Sequence, residues 1–245
     1  MQLHLLDFGM LRPLGGPDPR PRSLRGYLIE TDAGERILVD TGMPGYWADD
    51  VEVAIERDGY AEFTSPYRFG PGNDLPGQLA ELGLEGGDVD LVLLTHSDLD
   101  HVGGMEFVAA GTPTLISDVE RALEVPAPTN PGYFSAWPDW ADELTTVPFT
   151  DQELRPGITL LATPGHTPGH FSVLLEGLEA GSILLAVDAI KMRDEVPGAG
   201  TDVAAAIASA ERLRRLATET GALLVYGHDG EQWLELEATK LEETR

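Results

Sequence analysis

His96-Ser97-Asp98-Leu99-Asp100-His101 places four side chains that can donate to a metal ion within six residues. Imidazole nitrogens and carboxylate oxygens hold divalent ions such as zinc, and a bound ion makes a nucleophile of water at neutral pH. Asp and Ser at a helix start commonly do no more than cap free backbone N–H groups. Capping accounts for one of these aspartates, but not for two histidines interleaved with two aspartates. The chain has six histidines. His4 lies near the amino terminus; His96, His101, His166, His170 and His228 all fall at strand ends or in glycine-punctuated turns. Asp188 likewise ends the apolar run Ile183-Leu184-Leu185-Ala186-Val187. Such placement favours a metal site over packing.

These groups need strands to carry them. Leu91-Val92-Leu93-Leu94 reads as a buried strand delivering the cluster to its carboxyl end, the usual site position in layered α/β proteins. Residues 2–8 and 24–41 have β character, with Asp32-Ala33-Gly34-Glu35 as a hairpin turn. Residues 11–21, rich in Pro and Gly, read as a loop, as does the aromatic stretch 67–72. Helical spacing covers 47–55, 75–82, 105–110, 118–123, 203–219 and 233–241. Further strands are expected at 113–117, 145–149, 158–162, 171–175, 183–187 and 223–226. Residues 125–142 form an irregular insertion carrying Tyr133, Phe134, Trp137 and Trp140, either a packed subcluster or the wall of a pocket. No linker separates domains, so residues 1–245 are expected to form one domain, a sandwich of two sheets with helices outside.

Composition narrows the function. The 245 residues carry 42 acids against 16 bases, a formal net charge of −26. Such a surface repels phosphate backbones and anionic membranes, so neither nucleic acid nor membrane is an expected partner. With no cysteine, thiolate ligands, thiol nucleophiles and disulfides are excluded. Met1-Gln2-Leu3-His4-Leu5-Leu6-Asp7 lacks the basic and long apolar segments of a secretory leader, and a cytoplasmic protein is expected.

His96-Ser97-Asp98-Leu99-Asp100-His101 resembles the His-x-His-x-Asp-His motif of the metallo-β-lactamase superfamily. Thr163-Pro164-Gly165-His166-Thr167, Leu185-Ala186-Val187-Asp188, Gly227-His228 and Leu38-Val39-Asp40-Thr41-Gly42 are similar to its other motifs, in the expected order. The resemblance implies an αββα sandwich of two mixed β-sheets, with helices on the outer faces and two divalent metals at one edge. It implies that His96, Asp98 and His166 hold the first metal, Asp100, His101 and His228 the second, and that Asp188 bridges them. Asp40 and His170 would orient ligands through hydrogen bonds.

Within the superfamily, Ile37-Leu38-Val39-Asp40-Thr41-Gly42-Met43-Pro44 and His166-Thr167-Pro168-Gly169-His170 look most like the N-acyl-homoserine lactonase group. That likeness implies a hydroxide between the metals attacking a lactone or other carboxylic ester, with Asp100 passing a proton to the leaving oxygen. Thioester or phosphodiester hydrolysis and iron-dependent oxidoreduction are the alternatives on this scaffold. Two positions depart from the pattern. Asp98 stands where the second histidine is usual, which keeps zinc feasible but moves preference toward manganese or iron. Lys191 stands where the lactonases place a tyrosine, and can act as an electrophile or bind a carboxylate. Tyr67, Phe69, the four aromatics of the insertion and Lys191 are the expected pocket wall for a small ester or lactone.

Overall fold

A computed structural model of the chain describes residues 1–15, 18–62, 64–128, 134–197 and 200–243. Sheet one begins with three antiparallel strands, β1 (Gln2–Pro13), β2 (Arg22–Glu30) and β3 (Arg36–Val39). The turn between β2 and β3 closes through Thr31 and Glu35, with Gly34 at φ +82°, a conformation suited to glycine. β4 (Thr64–Arg68) pairs antiparallel with β1, while β5 (Leu91–Leu93), β6 (Thr114–Ser117) and β7 (Thr145–Val147) continue the sheet in parallel from β3. The order is β4-β1-β2-β3-β5-β6-β7. Sheet two contains β8 (Gln152–Arg155), β9 (Ile158–Ala162), β10 (Phe171–Leu178), β11 (Gly181–Val187) and β12 (Leu223–Tyr226), in the order β12-β11-β10-β9-β8. Only its β11–β12 pairing is parallel among the described strands.

Strand periodicity explains the layers. Ile37 and Val39 of β3, with Leu91 and Leu93 of β5, point between the sheets and meet Leu160, Phe171, Val173 and Leu185 of sheet two. The alternate residues Leu38, Val92 and Leu94 point outward, beneath Trp47, Val51, Ala54, Leu75 and Leu79. These come from α1 (Tyr46–Asp49), α2 (Val51–Arg57) and α3 (Leu75–Glu81). On the far side of sheet two, Leu161, Leu174, Leu184 and Ala186 pack on Ala210 and Leu213 of α6 (Val203–Thr220). The result is the expected sandwich of two mixed sheets between outer helices. Among the described residues no helix is long and apolar enough to cross a membrane.

Several element boundaries differ from the sequence expectation. Residues 11–13, read as loop, extend β1 because they pair with β4. Tyr67, also read as loop, lies in β4, whose Pro66 is tolerated because the strand is an edge. The helix expected over 47–55 is two, broken at Asp50, whose side chain caps α2 by accepting from Val53 N at 3.1 Å. Residues 103–107 form a 3₁₀ turn rather than an α-helix. β8 had no counterpart in the reading.

Candidate metal centre

Every candidate ligand hangs from the carboxyl end of a strand. β5 runs into the loop bearing His96 and Asp98, then α4 (Leu99–Val102), which carries Asp100 and His101. His166 follows β9, Asp188 follows β11 and His228 follows β12. Gly104 lets the end of α4 press against the turn after β3; a Cβ there would lie 2.1 Å from the Thr41 carbonyl oxygen. Thr41 in turn donates its backbone N–H to the His101 carbonyl at 2.8 Å.

Two donor groups result. His96, Asp98, His166 and Asp188 form one, and Asp100, His101 and His228 the other; within each, one donor atom per residue lies within 4.8 Å of the rest. Asp188 joins them: its carboxylate is 3.2 Å from His166 Nε2, 3.1 Å from His228 Nε2 and 3.4 Å from His101 Nε2. The imidazoles are held by their far nitrogens. His101 Nδ1 donates to Asp40 Oδ2 at 2.8 Å, and His228 Nδ1 to the Ser23 carbonyl at 2.8 Å. Thr95 gives its hydroxyl proton to Asp40 Oδ2 (2.8 Å), so its oxygen accepts from His96 Nδ1 (3.0 Å). This leaves Nε2 of each ring facing inward. Among the described residues, His96 Nε2 and His101 Nε2 are buried without a hydrogen-bond partner. Buried polar atoms are rarely left so, and inward lone pairs on outer-anchored rings are what divalent ions require. The residues present therefore fit a pair of such ions.

The charges of the metal-free cluster are mutually stabilised. Burial alone would raise the pKa of Asp98, but His166 and His96 hold it well below the ordinary carboxylate range. Burial likewise opposes ionisation of Asp188, and His228, Lys191, His166 and His101 outweigh it. Asp100, beside His101 and His228, is lowered to about 2 against the same burial effect. Burial disfavours a charged His101, yet Asp100, Asp40 and Asp188 push its pKa well above the usual imidazole value.

His170 is fully buried and not in either donor group. Its Nε2 accepts the backbone N–H of Asp188 at 3.1 Å, and its Nδ1 faces Thr163 Oγ1 at 2.8 Å. It therefore holds the peptide of the joining aspartate, and burial beside His96 and His166 keeps it neutral. Asp40, with φ +61°, anchors both Thr95 and His101.

A cavity of about 510 Å³ opens onto both groups. Its apolar side is Leu11, Leu24, Met43, Trp47, Tyr60 and Pro128; Asp98, Asp100, His166, Asp188, Lys191 and His228 form its floor. Lys191 lies inside it, with Nζ 3.2 Å from Asp188 Oδ2. The other expected pocket residues that are described lie elsewhere. Tyr67 is half exposed beneath the Arg12 guanidinium, because its strand is an outer edge. Phe69 packs on Trp47 against Gly9, in the core beneath the helices. Phe134, Trp137 and Trp140 pack on that same core, and Trp137 Nε1 donates to the Leu123 carbonyl at 2.8 Å. These three are packing residues, the first of the two readings open for the insertion. Tyr133 lies outside the described residues.

Sequence reasoning missed the supports of His228. Arg193 forks onto Asp229 with Nε at 2.9 Å and Nη2 at 3.2 Å. Buried Arg25 donates to the Asp229 carbonyl (2.8 Å) and stacks on Trp233, and Ser23 N donates to the His228 carbonyl (3.1 Å). These contacts tie β2 to the start of α7 (Gly230–Glu243) across more than 200 residues of chain. No local pattern signals them.

The model of the metallo-beta-lactamase superfamily matches residues 25–228. An N-acyl homoserine lactonase of a Bacillus species is 34% identical over 221 residues, covering 84% of this chain and 81% of the relative. Among solved structures, an N-acyl homoserine lactone hydrolase with the product N-hexanoyl-L-homoserine at its catalytic metal center is 27% identical. Its TM-score is 0.75 over 95% of each chain. A variant of AiiA from B. thuringiensis with N-decanoyl-L-homoserine at the active site has 26% identity and a TM-score of 0.76, again over 95% of each chain.

Proposed function

The chain belongs to the metallo-β-lactamase superfamily, and from that premise we propose that it is a metal-dependent hydrolase that opens lactones, N-acyl homoserine lactones first. The observation that carries the reading is two donor groups joined at Asp188 on the floor of a cavity with an apolar side. The lactonase relatives support the choice of bond. Two divalent ions held there would supply a water acidified to a pKa of about 7 and a Lewis acid for the carbonyl oxygen. His96, Asp98 and His166 would hold one ion, Asp100, His101 and His228 the other, and Asp188 would touch both. Leu11, Leu24, Met43 and Trp47 receive the acyl chain. Lys191 Nζ donates to the ring carbonyl, or to the carboxylate that ring opening creates. Asp100, more exposed than Asp188 with 18% of its side chain accessible, carries the proton to the leaving alkoxide. Phosphodiesters fit less well, because Asp98, Asp100 and Asp188 face the cavity against Lys191 alone among the described lysines and arginines lining it.

Metal-loaded protein should hydrolyse N-acyl homoserine lactones faster than simple lactones, glutathione thioesters and p-nitrophenyl phosphodiesters, followed by acid release in a pH-stat. Lactone turnover no greater than that of a His101→Ala control would sink the reading.

Each donor group, counting Asp188 in both, offers two imidazoles and two carboxylates. Zinc accepts this set, and so do manganese and iron. Asp98→His should therefore keep two ions but shift competition toward zinc, measured by elemental analysis after growth in mixed metals. Loss of all metal from a folded Asp98→His protein would contradict the assigned role.

A further inference from the structure

Glu120 is fully buried on α5 (Asp118–Arg121) and belongs to neither donor group. Its Oε1 accepts from Ser97 N at 3.1 Å and Ser97 Oγ at 2.7 Å, and its Oε2 accepts from Gly169 N at 3.0 Å. Ser97 sits between His96 and Asp98, and Gly169 between His166 and His170. One carboxylate thus fastens the two loops that supply His96, Asp98 and His166. The clamp is close: Ser117 Oγ donates to the Gly169 carbonyl at 2.7 Å, and a Cβ on Gly169 would lie 2.3 Å from both Glu120 N and Ser117 Oγ. Ser97 Oγ also accepts from Ala127 N at 3.1 Å. Ala127 is buried with φ +54°, and the next residue, Pro128, lines the cavity.

We propose that Glu120 is a positioning residue for the first donor group alone, and that through Ser97 it also seats the Ala127–Pro128 wall of the cavity. The second group reaches its place by other contacts: Asp40 holds His101, and Ser23 holds His228. Glu120 therefore sets the spacing of His96 and Asp98 to His166 without setting that of Asp100, His101 and His228. The clamp uses only acceptor capacity. In Glu120→Gln, whichever way the amide turns, its NH₂ faces either the Ser97 or the Gly169 backbone N–H. One of the loops must then move away.

The inference rests on the two-ion reading above, and its test keeps the two apart. Cobalt(II) is titrated into metal-free protein while the visible bands are followed, which report ligand geometry without any substrate. Wild type is expected to fill two resolvable steps. Glu120→Gln should weaken one step by ~10–100-fold, the usual effect of losing an outer support of a metal ligand. The other step should keep its affinity and spectrum, whereas a general loss of stability would move both. Ser97→Ala keeps the Glu120 contacts to both backbone N–H groups and removes the acceptor of Ala127 N. The amide of Ala127 should then exchange with deuterium about 5-fold faster or more, the worth of one hydrogen bond. Equal weakening of both steps, no weakening of either, or unchanged exchange at Ala127 would each overturn the proposal. Wild type that binds no cobalt would remove the two-ion reading and this proposal with it.

Discussion

Asp188→Asn is expected to cut lactone turnover by ~10³-fold or more, beyond the ~10–100-fold typical of losing an outer support, because Asp188 touches both donor groups. Bound metal should fall from two ions per chain to one or none. Asparagine keeps the shape, and His170 Nε2 still accepts the residue's backbone N–H, 3.1 Å away in the present structure. What disappears is the anion at the centre. Lys191 Nζ at 3.2 Å, His166 Nε2 at 3.2 Å and His228 Nε2 at 3.1 Å would then face one another without it. Breaking a fully buried pair costs ~3–5 kcal/mol; with Lys191 about a third exposed, ~2 kcal/mol is expected in the metal-free protein. Elemental analysis, steady-state kinetics and thermal melting of the variant check all three effects. Turnover near wild type with two ions bound would contradict the bridging role.

The candidate metal ligands were legible because they follow apolar strands. Leu91–Leu93 and Gly181–Val187 end in side chains that serve no core, and that break in hydrophobicity is visible without coordinates. The edge strands were not. Thr64–Arg68 and Gln152–Arg155 hold few apolar residues because one edge faces solvent, so neither makes a run. The cavity wall was hidden for a different reason. Leu11, Leu24, Met43 with Trp47, and Pro128 come from four separate stretches and meet only in three dimensions. Phe134, Trp137 and Trp140, clustered along the chain, pack beneath the helices instead. Glu120 lies between these cases. Ser117-Asp118-Val119-Glu120 has the spacing of a reciprocal helix cap. Ser117 Oγ does accept from Glu120 N at 2.9 Å, but the Glu120 side chain turns away to Ser97 and Gly169. A local pattern predicts the cap; only the tertiary fold redirects the carboxylate.

The metal-free protein should lose stability as pH rises from 6 to 9, and metal should reverse that trend. The sign follows from the shifts. His101 and His166 have raised pKa values in the folded chain: burial opposes both, as does Lys191 for His166, but neighbouring aspartates prevail. Their contribution is complete below the ordinary imidazole value of about 6.5 and fades as pH climbs through the folded values. Asp98, Asp100 and Asp188 are lowered, so theirs is complete above about 4 and is lost only as pH falls toward the folded values. His170, lowered by burial beside His96 and His166, works the other way and costs stability as pH falls below about 6.5. The metal-free optimum thus lies at about pH 6.5, with a decline on the alkaline side. Ions need the same imidazoles unprotonated. Ions bound by His101 and His166 would displace their protons, so uptake should release protons near neutrality and tighten with pH. Each ~1 kcal/mol lost moves the melting temperature by ~2–4 °C in a chain of this length, so a fall of several degrees is measurable. Melting across this range with and without zinc tests the crossing. Calorimetry in two buffers of different ionisation enthalpy counts the protons. A metal-free melting temperature flat from pH 6 to 9, or uptake without proton release, would refute the argument that protons and metal ions share these ligands.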